Sequence, residues 1–198
     1  MEQVKNTMNK SEGKIIIFAA PSGSGKSIMI KHLLENKLNL DFSVSATSRE
    51  ARGQEKDGID YHFLSPEAFK KKISDGEFLE SEEVYKDQFY GTLKSEVDNI
   101  LSKGKNLVLD VDVVGACNIK KIYAEKALSI FIKAPSIDEL RKRLELRGTE
   151  SPEKIEKRIN KASSELTYAP LFDVIIHNDK LEVAQNEALQ TVTKFLEL

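Results

Sequence analysis

A segment rich in glycine and serine carries the most specific chemical pattern in the chain, Ala20-Pro21-Ser22-Gly23-Ser24-Gly25-Lys26-Ser27. Its glycines let the backbone curl so that N–H groups point inward, and the N-terminus of a following helix adds positive dipole. Lys26 brings a full charge to the β- and γ-phosphates of a nucleotide, and the Ser27 hydroxyl can hold Mg²⁺. We therefore predict that the whole segment, Ala20 to Ser27, binds a nucleoside triphosphate.

Ala20 departs from the usual form of such a loop, in which a glycine comes first. A residue with ordinary backbone angles can still serve there, because the turn depends on the glycines that follow. The plainer alternative is a Gly/Ser turn that only joins a strand to a helix. The order of apolar strand, Gly-Lys-Ser and helical pattern favours the phosphate loop.

Two carboxylates follow the apolar run Leu107–Leu109. Asp110 ends the predicted strand, and Asp112 comes two residues later. In P-loop proteins, an Asp at the end of a neighbouring strand holds Mg²⁺ or its water ligands. Asp also ends many strands simply because it favours turns. Beside a phosphate loop the first interpretation is favoured, and we predict Asp110 and Ser27 as protein ligands of Mg²⁺.

Three arginines lie in a charged region that contains two predicted helices. Arg143 and Arg147 are four residues apart and share one helix face, while Arg158 lies in the next helix, beyond Gly148. Two guanidinium groups on one face repel each other unless anions lie between them, and phosphates meet that need with bidentate hydrogen bonds. The alternative is a solvated helix whose charge is balanced by glutamates. We predict that all three arginines contact phosphate during catalysis.

The elements that position these residues alternate between strand and helix. The predicted buried strands are Ile15–Ala19, Phe42–Ala46, Leu107–Val111, Leu128–Ile132 and Val174–Ile176. The predicted helices are Ile28–Leu34, Lys94–Ser102, Val114–Tyr123, Ile137–Leu146, Glu153–Tyr168 and Val183–Leu196. This alternation predicts an α/β fold with a parallel sheet flanked by helices. Residues 47–92 and 141–161 interrupt the alternation, which is typical of insertions that cover a substrate.

Composition narrows the possible functions. The chain has 198 residues, of which 40% are hydrophobic and 31% charged, as in an ordinary soluble domain. Its net charge of −2 gives no overall field for nucleic acid. Cys117 is the only cysteine, which excludes an internal disulfide and a Cys-based zinc site. No apolar run is long enough to span a membrane. We expect a cytoplasmic enzyme without membrane or nucleic-acid partners.

With these residues in place, the sequence closely resembles the guanylate kinase family of nucleoside monophosphate kinases. The resemblance runs from about Lys14 to the C-terminus. The motifs that carry it are Ser43–Glu55, Gly58–Phe63, Phe78–Glu80, Tyr90–Thr92, Leu109–Asp112 with Gly115, Arg143–Glu150, Lys157–Arg158 and Asn178–Asp179. Ala51, between two arginines where proline is common, is one of several departures from the family pattern. None of them removes a charged or donor group that has a predicted role.

The resemblance implies phosphoryl transfer from ATP to GMP with Mg²⁺ as cofactor, in a single domain over residues 1–198. It implies a P-loop kinase core, a GMP-binding region over about 45–95, and a helical lid over about 147–168. The residues implied to hold the GMP phosphate are Arg49, Arg52, Tyr61 and Tyr90. Those implied to hold guanine are Ser45, Glu80 and Thr92, with Asp112 reaching the base side. The catalytic residues would be Lys26, Arg143, Arg147 and Arg158.

Two other functions remain open at this point. One is a guanylate-kinase-like binding module without catalysis, but such modules lack the working phosphate loop that Gly25-Lys26-Ser27 provides here. The other is a kinase for a different small acceptor, such as AMP or a sugar acid. The predicted guanine-side residues argue against that second alternative.

Overall fold

The computed structural model describes residues 13–148 and 151–198, in which strands and helices alternate. The strands are β1 (Ile15–Ala19), β2 (Leu40–Phe42), β3 (Ala46–Thr47), β4 (His62–Phe63), β5 (Phe78–Tyr85), β6 (Gln88–Leu93), β7 (Asn106–Asp110), β8 (Ala127–Lys133) and β9 (Val174–His177). The helices are α1 (Lys26–Glu35), α2 (Pro66–Ser74), α3 (Lys94–Ser102), α4 (Val113–Tyr123), α5 (Ile137–Arg147), α6 (Pro152–Leu166) and α7 (Leu181–Glu197). Across these described ranges, no helix is both long enough and apolar enough to cross a membrane.

β1 lies at the centre of a parallel sheet with the strand order β2–β7–β1–β8–β9. Its residues are fully buried because alternate side chains enter a core on each face of the sheet. Ile15 and Ile17 belong to the core that α3 and α4 cover. Ile16 and Phe18 belong to the core that α1 and α7 cover. The predicted parallel sheet with helices on both faces is confirmed.

The strand register of the main sheet brings the predicted phosphate loop and Asp110 together. β7 pairs with β1, and Phe18 lies opposite Asp110. The loop that follows β1 and the carboxylate that ends β7 therefore emerge at the same edge of the sheet. In open parallel sheets this carboxyl edge is where ligands bind.

A second sheet, with the order β4–β3–β6–β5, shows where the sequence prediction was wrong. The predicted strand Phe42–Ala46 is divided: β2 ends at Phe42 in the main sheet, and β3 begins at Ala46 in the second sheet. β6 pairs antiparallel with both β3 and β5. A small core beneath this sheet contains Phe69, Phe78 and Phe89. The second sheet thus forms the body of the insertion predicted between the main-sheet strands.

α5 and α6 form a separate helical pair that packs mainly on itself. Ser136 caps α5 by accepting a hydrogen bond from the Glu139 N–H at 3.1 Å. The pair encloses its own small core, to which Leu140, Leu144 and Ile159 contribute. The predicted lid over 147–168 covers α6 and its flanks, and its residues 149–150 lie outside the described residues.

Candidate active site

The predicted phosphate loop follows β1 and leads directly into α1. Gly23 and Gly25 have φ angles of 90° and 96°, a backbone conformation that side chains other than glycine rarely adopt. Gly25 also leaves room for the side chain of Asn178, whose Nδ2 donates to the Ser24 carbonyl at 2.7 Å. Ala20 does not have a positive φ. Alanine therefore fits the first position of this loop without backbone strain.

Lys26, the first residue of α1, faces the end of β7. Its ammonium group forms an ion pair with Asp110 and donates to the Val111 carbonyl at 3.2 Å. Both side chains of this pair are partly exposed, and both line a cavity that the phosphate loop also borders. The structure therefore brings together the predicted phosphate-binding lysine and the predicted magnesium ligand.

Asp112 caps the N-terminus of α4. One carboxylate oxygen, Oδ1, accepts hydrogen bonds from the N–H groups of Val114 at 2.7 Å and Gly115 at 3.0 Å. These bonds fix the carboxylate at the cavity wall. Capping provides acceptors for the first backbone N–H groups of the helix, which have no partner within it. The second carboxylate oxygen, Oδ2, is left for other partners.

Glu80 lies on β5 and lines the cavity. The Thr92 hydroxyl donates to Glu80 Oε1 at 2.8 Å. A Cβ at Gly115 would lie 2.6 Å from Glu80 Oε2, so this glycine makes room for the carboxyl group. Burial raises the Glu80 pKa to about 7, and the nearby charge of Asp112 adds to the increase. The Glu80 carboxyl group is thus a largely buried hydrogen-bond acceptor, and the Thr92 hydroxyl is its side-chain donor.

Arg49 is held on almost every side by other residues of the second sheet and its loops. Its Nη1 and Nη2 atoms donate to the two Glu55 oxygens at 2.6 and 2.8 Å. Its Nε donates to the Tyr90 hydroxyl oxygen at 3.1 Å, and its guanidinium lies 4.8 Å from the Tyr61 ring centre. Arg49 is 8% exposed. Arg52, in contrast, is exposed and reaches the cavity.

The predicted arginines of α5 and α6 line the cavity together with the phosphate loop. Arg143 donates to Glu139 at 3.0 Å and to the Asn178 carbonyl at 3.1 Å. Arg158 donates to the Ser22 hydroxyl at 2.6 Å. The exposed Arg147 side chain lines the same cavity. Arginines from two helices therefore line the same cavity as the phosphate loop, and Arg158 contacts that loop directly.

One cavity of about 710 Å³ is lined by most of these groups. The predicted site residues in its wall are Ala20–Ser27, Ser45, Arg52, Tyr61, Glu80, Tyr90, Asp110, Asp112, Arg143, Arg147 and Arg158. Arg49 and Thr92 lie behind that wall, where they contact Tyr90 and Glu80 respectively. Direct contacts of Arg49 and Thr92 with a ligand stay predictions.

Comparison with known proteins identifies the family. The family model described as guanylate kinase matches residues 12–197. The chain belongs to the guanylate kinase family. It is 58% identical to a guanylate kinase of Bacteroides fragilis over 98% of this chain and 96% of that protein, and 53% identical to one of Porphyromonas gingivalis over 92% and 98%. A crystal structure of guanylate kinase from Anaplasma phagocytophilum matches with a TM-score of 0.76 and 31% identity over 93% of this chain and 86% of that chain. The family predicted from the sequence is confirmed.

Two cavity residues on α6 of this guanylate kinase family member had no predicted role. Lys161 and Glu165 follow Arg158 at intervals of three and seven residues, and all three side chains line the cavity. Lys161 pairs with Glu165 at 3.5 Å, and burial raises the Glu165 pKa. Helical spacing was the signal that could have found them, because residues at such intervals share one face.

The predicted magnesium site fits the preferences of that ion. Ser27 and Asp110 offer a hydroxyl and a carboxylate at the cavity wall, and Mg²⁺ prefers oxygen ligands. Within residues 13–148 and 151–198, no group of three or more His, Cys, Asp or Glu side chains forms an all-protein metal cage. Such a site would suit an ion that takes most of its ligands from nucleotide phosphates and water.

Proposed function

We propose that the chain transfers the γ-phosphoryl group of ATP to GMP, giving ADP and GDP. The observation that carries this proposal is that the phosphate loop and the Glu80 carboxyl group line one and the same cavity. Phosphoryl transfer between two nucleotides needs the donor and acceptor held in line within such a space.

At the donor end, the phosphate loop would bind ATP through its backbone N–H groups and Lys26. Lys26 is paired with Asp110 in the described structure, so an incoming phosphate would exchange that partner or share it. Ser27 and Asp110 are the residues that would hold Mg²⁺. When bound, the ion would neutralise charge on the β- and γ-phosphates.

In the part of the cavity that would bind the acceptor nucleotide, Glu80 would recognise the guanine base. An ionised carboxylate only accepts hydrogen bonds, and guanine presents its N1–H and exocyclic amine as adjacent donors. Adenine has an unprotonated N1 that would face the same carboxylate. Thr92 would support Glu80 through its 2.8 Å hydrogen bond, and Ser45 would reach the base from the cavity wall. The Asp112 carboxylate would also reach the guanine base.

The acceptor phosphate would lie among Arg52, Tyr61 and Tyr90, which all line the cavity, with the two tyrosine ring centres 6.0 Å apart. Arg49 contacts both tyrosines from behind and completes this group. A dianionic phosphate needs several donors in fixed directions, and a guanidinium with phenol hydroxyls supplies them. Since this phosphate is common to all monophosphates, Arg49→Ala should weaken GMP and other acceptors to a similar degree.

During transfer, Arg143, Arg147 and Arg158 would stabilise the charge that spreads over the moving phosphoryl group. Fixed donors in a site that excludes water supply such stabilisation at little cost in reorganisation. Closure of residues 147–168 over the nucleotides would also keep water from accepting the phosphoryl group. No covalent intermediate with the enzyme is needed.

A coupled assay for ADP formation tests this function, with GMP, AMP, CMP and UMP offered separately as acceptors. The expected result is rapid ADP formation with GMP and little with the others. Purified Lys26→Ala protein serves as the control for a contaminating kinase. Absence of turnover with GMP, despite tight GMP binding, would support a non-catalytic binding module. A preference for AMP would instead support a different monophosphate kinase.

A further inference from the structure

Lys161, on α6, contacts a residue of the other insertion. Its ammonium group lies 5.6 Å from the ring centre of Tyr85, the last residue of β5. A lysine at that distance from an aromatic ring is within the range of cation–π attraction. Both side chains line the main cavity, the one of about 710 Å³. The contact therefore joins the helical pair to the second sheet beside the candidate active site.

Lys161 also pairs with a carboxylate of its own helix. Glu165 lies one turn further along α6, and its Oε1 is 3.5 Å from Lys161 Nζ. The side chains of Lys161 and Glu165 are 30% and 12% exposed, so the pair is largely shielded from water. This pairing limits the directions that the flexible lysine side chain can take. Its contact with the Tyr85 ring therefore requires less further ordering of the side chain.

A second cavity, of about 190 Å³, is lined by residues of β5, α4 and α6. Its described lining includes four carboxylates and one cation, namely Glu82, Glu83, Asp112, Glu165 and Lys161. Carboxylates gathered at one place repel each other, and burial strengthens that repulsion. Burial and the Asp112 charge raise the Glu82 pKa, and the Lys161 charge opposes that rise. Lys161 thus offsets repulsion where the second sheet meets α6.

The helix that Lys161 holds also carries Arg158. The two residues are three positions apart on α6, and both side chains line the main cavity. Arg158 donates to the Ser22 hydroxyl of the phosphate loop at 2.6 Å. The apolar core that α5 and α6 share is formed by residues between 134 and 162, so its described members include none from the second sheet. Charged contacts such as that of Lys161 therefore position α6 relative to this sheet.

We propose that Lys161 is a positioning residue for phosphoryl transfer: by holding α6 to Tyr85 of β5, it keeps Arg158 at the phosphate loop. This inference rests on the proposed function, since it depends on Arg158 stabilising the phosphoryl group during transfer. Lys161 need not contact either nucleotide for this role, because its ammonium group is directed to Glu165 and Tyr85.

Lys161→Met tests the inference because it removes the charge and keeps an unbranched side chain. The kcat should fall about tenfold, since a cation–π contact and a partly buried ion pair are lost together. The KM values for ATP and GMP should change less than about threefold, because the groups proposed to bind them are intact. Lys154→Met is the matched control: it removes the same charge from α6, but Lys154 is exposed and lines neither cavity. Its kcat should equal that of wild type.

Variants that keep or remove one partner identify the contact. Tyr85→Phe retains the aromatic ring and should keep kcat within about twofold, whereas Tyr85→Leu removes the ring and should lower kcat about fivefold. Lys161→Arg retains a cation and should keep kcat within about threefold. Equal kcat values for Tyr85→Phe and Tyr85→Leu would overturn the inference.

A double-mutant cycle separates positioning from direct contact. If Lys161 acts through Arg158, then Lys161→Met should lower kcat less than about twofold in an Arg158→Ala background. Additive effects would overturn the inference, because Lys161 would then act on the phosphoryl group itself. A rise in either KM that exceeds the fall in kcat would also overturn it, since that result indicates direct binding of a nucleotide.

Measurements of folding complete the test. If Lys161→Met does not fold by circular dichroism, the comparison of Tyr85→Phe with Tyr85→Leu decides the question. A lower melting temperature of Lys161→Met with an unchanged kcat would show a merely structural role and overturn the inference. Failure of the wild-type enzyme to phosphorylate GMP would refute the proposed function, whereas equal kcat values of wild type and Lys161→Met would refute only this inference.

Discussion

Protonation of Glu80 should control GMP binding near neutral pH. Its pKa is about 7 because burial penalises the ionised form. A carboxyl with that pKa is ionised in about one tenth of molecules at pH 6 and about nine tenths at pH 8. Only the ionised form can accept from both guanine donors, so the apparent affinity falls with the ionised fraction. The KM for GMP should therefore rise about tenfold from pH 8 to pH 6.

The GMP phosphate also titrates, with a second pKa of about 6, so wild-type kinetics alone do not assign the change. Glu80→Gln supplies the control, because a glutamine amide keeps one acceptor oxygen but does not ionise between pH 6 and pH 8. This variant should lose about 1–3 kcal/mol of GMP efficiency at pH 8 and retain only the pH dependence of the phosphate. The assay is kcat/KM for GMP and AMP between pH 6 and 8. An identical pH dependence in both proteins, or an unchanged GMP to AMP ratio, would refute the argument.

The same shift in pKa predicts an effect on stability. The unfolded chain ionises Glu80 near 4.5, and the folded chain ionises it near 7. Between these values the folded state holds a proton that the unfolded state lacks, so this contribution to stability is lost as the pH rises. At 1.36 kcal/mol per pKa unit, the loss is roughly 3 kcal/mol. The melting temperature of Glu80→Gln, relative to wild type, should thus be higher at pH 8 than at pH 5.

Three other outcomes test the site. Lys26→Ala should lose most of its activity but keep its circular dichroism spectrum, because Lys26 pairs with Asp110 at the cavity and adds little to the core. Near-normal turnover of this variant at saturating ATP would contradict the prediction. Hydrogen exchange over 147–168 should slow with an inert two-substrate mimic, since bound phosphates give its arginines anionic partners; equal rates would count against a lid. Gly115→Ala should weaken GMP binding several-fold with little effect on the KM for ATP, since a Cβ would lie 2.6 Å from Glu80 Oε2.

The main sheet could be predicted because its strands carry a strong signal. Runs such as Ile15–Ala19 are buried on both faces, and a short continuous run of β-branched and aromatic residues is typical of a strand in that position. The second sheet gave no such signal. β5 (Phe78–Tyr85) is half polar, since one of its faces lines the cavity, and β3 and β4 are two residues long each. Their pairing depends on tertiary contacts that no local pattern contains.

α2 was missed although its first residues carry a start signal. Ser65 precedes Pro66 and accepts from the Ala68 N–H at 3.1 Å, as a helix cap does. The division of Phe42–Ala46 between two sheets had no comparable signal. Ser43 is fully buried, and its N–H still donates to the Val108 carbonyl at 3.1 Å beyond the end of β2. The alternation of apolar residues and serines in Phe42–Ala46 continues through the point where the chain changes sheets.

The candidate site shows a similar limit at Arg49 and Arg52. Their chemistry was predictable, because two arginines in one loop are suited to a dianion. Their different surroundings were not predictable, since a spacing of three residues in an irregular loop defines no shared face and no periodicity. The difference comes from Glu55, which places its charge against Arg49 and only its hydrogen-bonding capacity against the Arg52 backbone. A buried guanidinium requires a partner of opposite charge, whereas an exposed one does not. Burial therefore separates Arg49, which contacts both tyrosines, from Arg52, which lines the cavity.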